Sequence, residues 1–266
     1  MTLRALSTAA TGMQAQSTNV DVIANNLSNV NTTAFKKQKA NFEDLLYQQI
    51  RSVGTTTATG TRLPTGLQVG VGTRLVGIQR YFEQGSLDET DRKLDLAIEG
   101  EGFFRMRIDA AGTIGYTRAG AFTRGPDGVL VDPNGHVLEP QITIDQTIPN
   151  DNIAIGSDGR VEVLVPNQTA FTQVGQITLS RFSNPEGLKA VGQNLFVETD
   201  ASGTPLTDNP GLQGLGQLQQ GSLETSNVDL VRELTDMIKA QRAYEINSKT
   251  IQTADEMLQT AGNLRR

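Results

Sequence analysis

Leu230-Val231-Arg232-Glu233-Leu234-Thr235-Asp236-Met237-Ile238 begins the stretch whose reading decides the fold, because its apolar residues keep one period as far as Leu258. Leu230, Met237, Tyr244, Ile251 and Leu258 recur every seven residues, in company with Leu234, Val231, Ile238, Ile246 and Met257. A seven-residue period belongs to a helix that lies along a seam against another helix. Ser226, with Asp229 three residues on, places acceptors where a first turn has orphan amides, and Glu233 adds negative charge at the positive dipole end. The pattern predicts a helix from Asn227 to Leu264, about 55 Å long at roughly 1.5 Å per residue. That is too long to decorate a small body.

The other end of the chain carries a matching stripe. Leu3, Leu6, Ala10, Met13, Val20, Ala24 and Leu27 alternate steps of three and four, interrupted only by Ser17. Neither stripe can bury itself alone. A chain that closes on itself through its termini is built for stacking into a larger body more than for holding a substrate. Polar residues in line with the seams, Ser17 and Asn31 on the first and Gln241, Ser248 and Asp255 on the second, either set register or face solvent.

Between the seams the texture changes. From about Gly70 to Leu223 the chain alternates in short runs such as Val161-Glu162-Val163-Leu164-Val165 and Gln176-Ile177-Thr178-Leu179-Ser180, which read as strands. Pro126-Asp127-Gly128, Pro133-Asn134-Gly135, Ser157-Asp158-Gly159 and Ala201-Ser202-Gly203 read as the tight turns between them. The middle is therefore an all-β body of hairpins.

The segment from Asn31 to Gly72 fits neither texture. Phe42-Glu43-Asp44-Leu45-Leu46-Tyr47 is a short apolar patch, and the Thr- and Gly-rich run after it carries Leu63, Leu67, Val69 and Val71. It reads either as a floppy linker or as an extended arm that orders against a neighbour. Lys36, Lys37 and Lys39 read as a solvated face.

Composition excludes several classes. The 266 residues carry a net charge of −6, which is not the basic field of a nucleic-acid binder. The chain contains no Cys, so disulfides and thiolate chemistry are out and the redox compartment is undetermined. Its first residues lack a continuous apolar h-region, and no segment approaches the roughly 20 apolar residues of a membrane span, so neither a cleaved signal nor a span is expected. Gly100-Glu101-Gly102 lacks the third glycine of a dinucleotide fingerprint and reads as a strand start. Asp132-Pro133-Asn134-Gly135 is a turn without calcium-ligand spacing, and His136 is the single histidine. No cofactor, metal, catalytic group or small-molecule substrate is expected.

Ala24-Asn25-Asn26-Leu27-Ser28-Asn29-Val30-Asn31-Thr32-Thr33-Ala34-Phe35-Lys36 resembles the N-terminal signature of the flagellar rod and hook family of axial proteins. Ser226-Asn227-Val228-Asp229-Leu230-Val231 through Gln241-Arg242-Ala243-Tyr244-Glu245 is similar to the family's other end. Leu96-Ala97-Ile98-Glu99-Gly100-Glu101-Gly102-Phe103-Phe104 and Tyr116-Thr117-Arg118-Ala119-Gly120-Ala121-Phe122 fit its middle. The signature residues are Asn25, Asn26, Leu27, Asn29, Asn31, Thr32 and Phe35. Where the family pattern usually has Gly before the aromatic, this chain has Ala34, which leaves open whether the backbone there takes a positive φ.

The resemblance implies an α+β chain in three parts: a coiled-coil domain of terminal helices (1–30 and 227–266), a connecting region with an extended arm (31–72 and 210–226), and a central mainly-β domain (73–209). Its subunit interface would be the two seams, Leu3, Leu6, Ala10, Met13, Val20, Ala24, Leu27, Leu230, Leu234, Met237, Tyr244, Ile251 and Leu258. Tyr47, Leu63, Pro64, Gly66, Leu67, Val69 and Gly70 are similar to the extended insertion of the family's distal-rod branch and would stiffen a rod. Implied partners are further copies of the chain in a helical homo-oligomer, proximal rod proteins, hook or hook-junction subunits, surrounding ring proteins and the flagellar type III export apparatus. The implied location is a rod spanning the periplasm, reached without signal cleavage. The alternatives are a hook-type or accessory rod member of the same family, or a secreted β-domain binding module.

Overall fold

A computed structural model of the chain describes residues 2–51, 65–109, 112–165 and 170–263, without the side chains of Thr2, Leu3 and Ala261. The architecture is α+β, one helix at each end and short strands between. Contacts divide it into two units: Met1–Ser28, Gln38–Arg80 and Asp229–Arg266 form the first, and Asn29–Lys37 with Tyr81–Val228 the second.

In the first unit, helix α1 (Thr2–Ser28) packs along helix α2 (Leu230–Asn263). α2 starts three residues later than the sequence predicts. Asp229 caps it, its Oδ1 accepting from the amides of Val231 at 3.0 Å and Arg232 at 3.2 Å, whereas Ser226 Oγ accepts from Val228 N at 3.3 Å, outside the helix. Strand β1 (Gln38–Asp44) pairs antiparallel with β4 (Thr73–Arg80), with a bulge at Asn41/Phe42, and β2 (Gln48–Arg51) pairs with β3 (Leu67–Val69). The described part of the Asn31–Gly72 segment is thus largely a two-part ribbon. Ala40 of β1 is its deepest residue and turns inward, whereas Leu75, Val76 and Ile78 of β4 are exposed.

The second unit is built around strand Phe103–Arg107, the centre of a nine-stranded sheet. That strand pairs antiparallel with Ile114–Thr117, Val137–Glu139 and Leu179–Arg181. Leu96, Ile98, Phe104, Met106, Phe122, Leu130 and Leu138 fill the core with no exposed surface. A satellite cluster joins Leu188 to Phe103, Tyr116, Phe182 and Phe196, aromatic rings that meet edge to face, as Tyr116 and Phe182 do at 4.7 Å. All four predicted turns form, with Gly128, Gly135, Gly159 and Gly203 at positive φ.

Gln176–Ser180 is not one strand. Phe171–Gln176 belongs to a three-stranded sheet and Leu179–Arg181 to the nine-stranded one, with buried Ile177 between them donating its amide to Gly159 O at 2.8 Å. The chain changes sheets where the alternation reads as continuous.

Candidate assembly surfaces and a buried charge cluster

The inner face of α2 is made of small and polar residues. Its deepest positions are Glu233, Ala240 and Ala254, on a seven-residue line that also passes through half-buried Asn247. Met237, Ile251 and Leu258, on the neighbouring line, are half-buried, while Leu230, Leu234 and Tyr244 are exposed. On α1 the buried residues are Ala9, Ala15, Val22, Ile23 and Asn26. Leu6, Met13, Val20, Ala24 and Leu27 are half-buried, Ala10 is exposed, and the side chain of Leu3 lies outside the described residues. The helices close against each other on small residues because a thin seam lets backbones approach. A Cβ at Gly12 would lie 3.0 Å from the Asn247 amide nitrogen.

Asn26 ties this unit together. Its Nδ2 donates to Glu233 Oε2 at 3.0 Å and to Gln38 O at 2.8 Å, and its Oδ1 accepts from Gln38 N at 2.9 Å. One fully buried amide thereby fixes α1 against α2 and the start of β1. Among the signature residues it is the buried one; Asn29 Oδ1 accepts from Thr32 Oγ1 at 3.1 Å, Leu27 and Phe35 are half-buried, and Asn25 and Asn31 are exposed.

Large apolar side chains stand on the outside of the same unit. Val231 is 71%, Ile246 66%, Met257 56% and Ile238 53% exposed along the outer face of α2. Leu46 is 90% exposed beside β2, where Tyr47 and Ile50 are also open. Of the predicted arm residues, Leu67 and Gly70 are exposed, Val69 and Gly66 half-buried, and Leu63 and Pro64 lie outside the described residues. Ala5, Ala9, Ile50, Val69, Gly70 and Asn247 line a cleft of about 480 Å³.

The second unit holds a charge cluster. Lys36 is buried instead of forming a solvated face with Lys37 and Lys39. Its Nζ donates to Glu224 Oε1 at 2.5 Å and Glu83 O at 2.7 Å. Arg118 Nε donates to Glu224 Oε2 at 2.7 Å, while its Nη1 reaches Gly102 O and its Nη2 reaches Gly100 O, both at 3.0 Å. Gly85 N completes the set on Glu224 Oε1 at 2.9 Å. Burial alone would raise the Glu224 carboxyl, but Arg118 and Lys36 outweigh it and hold the group below its ordinary 4.5. Burial pushes the Lys36 ammonium down against the opposing pull of Glu224. Sequence reading missed all three roles, although Lys36 and Arg118 sit in quoted motifs; Glu224 lies between the quoted stretches and carried no local signal.

Ala34, beside this cluster, adopts φ +56° while 4% exposed, so the positive φ is used without glycine. His136 pairs with Asp132, Nδ1 to Oδ2 at 2.8 Å, inside the predicted turn.

Paired terminal helices with small inner and large outer residues, joined through a β body, define an axial structural subunit. The family described as flagella basal body rod protein matches residues 6–36, the flagellar hook protein FlgE/F/G D1 domain matches 97–163, and the flagellar basal body rod FlgEFG protein C-terminal family matches 219–264. The chain is 49% identical to the flagellar basal-body rod protein FlgG of Borreliella burgdorferi over 264 residues, 99% of each chain. It is 48% identical to FlgG of Buchnera aphidicola subsp. Schizaphis graminum, over 96% of each chain, and 47% identical to FlgG of Caulobacter vibrioides, over 99% of this chain and 100% of that one. The chain belongs to the flagellar basal-body rod protein family, as a structural subunit of the basal body.

Proposed function

We propose that the chain is the subunit of the distal rod and polymerises into a rigid helical tube that transmits torque and leaves a central export channel. The observation that carries the reading is the helix–hairpin unit: mostly alanines inside, with Val22 and Ile23, and the large apolar Val231, Ile238, Ile246, Met257 and Leu46 outside. An apolar stripe of that size on a soluble chain needs a partner, and further copies supply matching surfaces. In the tube, the terminal helices form the inner coiled-coil layer, both seams serve as subunit contacts, and the central β domain lies outside. The ribbon and arm around Tyr47, Leu67, Val69 and Gly70 reach an adjacent copy and stiffen the rod, the cleft beside Ile50 receiving an apolar side chain.

Proximal rod proteins below, hook or hook-junction subunits above and ring proteins around it are the remaining partners of this reading. The rod spans the periplasm, and its subunits travel through the type III apparatus without signal cleavage. The test is polymerisation of the purified chain followed by electron microscopy. Straight tubes whose assembly is abolished by Val231→Gln with Ile246→Gln support the reading; tubes that form equally well from that variant overturn the helix packing.

A further inference from the structure

Three segments distant in sequence are laced into one clasp in the second unit. Residues 33–37 form a strap, 81–86 lie beside it, and 222–228 close over it. Ala34 N donates to Glu224 O at 2.8 Å, Asn227 N to Phe35 O at 3.4 Å, and Lys37 N to Asn227 Oδ1 at 2.7 Å. On the other side Tyr81 N donates to Lys37 O at 2.9 Å, and Asn227 Nδ2 donates to Tyr81 O at 3.0 Å and Glu83 O at 3.1 Å. Thr225 N reaches Ser86 O at 2.8 Å. The Glu224 carboxylate is the only group in this set that touches all three surroundings: the strap through Lys36, the middle segment through Gly85, and the β body through Arg118.

We infer that Glu224 is a latch: the strap carrying the end of the N-terminal signature docks on the β body only when residues 222–228, near the opposite end of the chain, are already in place. The Lys36 side chain is wholly buried, and an ammonium enters such a site only with its counter-charge present. That counter-charge lies 188 residues further on. Asn227 of the same late segment serves both Phe35 and Lys37, while the bonds independent of that segment, Asn194 Nδ2 to Thr33 O at 3.0 Å and Tyr81 N to Lys37 O at 2.9 Å, are to backbone carbonyls and carry no counter-charge for the buried ammonium. Arg118 has carbonyl partners at Gly100 and Gly102 without Glu224, so the β body keeps that side chain satisfied before the latch closes. Lys36 would keep one carbonyl partner, Glu83 O, against two for Arg118, and its side chain is wholly buried. Docking of the strap is therefore conditional on residues 222–228, which keeps a chain lacking them from closing the second unit.

Native-state hydrogen exchange on the full chain tests this, with Glu224→Gln and Lys36→Met read at the strap amides (33–37) and at body amides Phe104, Met106 and Leu130. The latch predicts strap exchange faster by roughly a hundredfold in Glu224→Gln and tenfold in Lys36→Met, with body exchange unchanged. Should Glu224→Gln not fold, Lys36→Met, which leaves the Glu224–Arg118 pair intact, decides alone by the same readout. Strap and body accelerating together would make the cluster an ordinary part of the core and overturn the latch. Unchanged exchange at the strap would overturn it as well.

Discussion

The two units differ in what they bury. The β body hides Phe104, Phe122, Leu96 and Ile98 completely, whereas the helix–hairpin unit hides Ala9, Ala15, Ala40, Ala240 and Ala254, with Val22 and Ile23, and leaves Leu46, Val76, Val231, Ile238 and Ile246 more than half exposed. A domain that buries its large side chains is finished on folding, since each contributes about 1.5–3 kcal/mol of transfer free energy. One that buries mainly alanines and displays many of its large side chains has left part of that free energy uncollected. The difference teaches that the subunit carries a completed scaffold and an uncompleted joint. Phe104→Ala should expose it most sharply, costing about 3–5 kcal/mol in denaturant unfolding of the body. A loss below about 1 kcal/mol there would mean that the body is packed as loosely as the helices.

Acid should separate the units next. Glu224 sits below its ordinary 4.5, so its contribution is fully present above that value and is lost as pH falls through the lowered one. The groups facing it are Lys36 and Arg118, with the Glu83 carbonyl on the lysine. Exchange of the strap amides should therefore rise below about pH 4.5 before α1 and α2 lose protection from each other. A strap indifferent to pH down to unfolding of the body would break the distinction. Within the helix unit the counterpart is Asn26→Ala, which strands the Gln38 amide and one bond of Glu233 and should cost about 1–3 kcal/mol of helix-pair stability.

Much of this was legible before any coordinates. A period of seven in Leu230 to Leu258, and Gly at the third place of four turns, are local signals that local physics obeys. The inner helix face was not legible, because hydrophobicity points to Leu230 and Leu234 while the fold selects the line of Glu233, Ala240, Asn247 and Ala254 for its small volume. Nothing in one helix announces how closely another backbone approaches. The Lys36–Glu224–Arg118 cluster was hidden for a different reason: its members are 82 to 188 residues apart by sequence number, and pairing over such distances is a tertiary fact. The start of α2 slipped by three residues because Ser226 and Asp229 are both good caps and only packing chooses between them.

A smaller effect tests the strap itself. Ala34 holds φ +56°, a conformation that costs a residue with a Cβ about 1–2 kcal/mol, partly offset in glycine by greater freedom when unfolded. Ala34→Gly should therefore stabilise the β body by about 0.5–1 kcal/mol and slow strap exchange without affecting α2. Destabilisation would show that the Ala34 methyl, 4% exposed, packs well enough to outweigh the strain.

The smallest effect on the subunit is the one that says most about the joint. Val231 and Ile246 are 71% and 66% exposed on α2, so Val231→Gln with Ile246→Gln removes little packing within the chain and keeps good helix formers in place. Unfolding of the soluble subunit should move by no more than about 0.5 kcal/mol. If the proposed tube forms, the same pair should raise the concentration needed for polymerisation steeply, because in that reading the area they occupy is buried by a neighbouring copy. A shift of about 2 kcal/mol or more in the isolated subunit would place the stripe inside the chain's own packing, and the contrast between finished body and open joint would fail at its root.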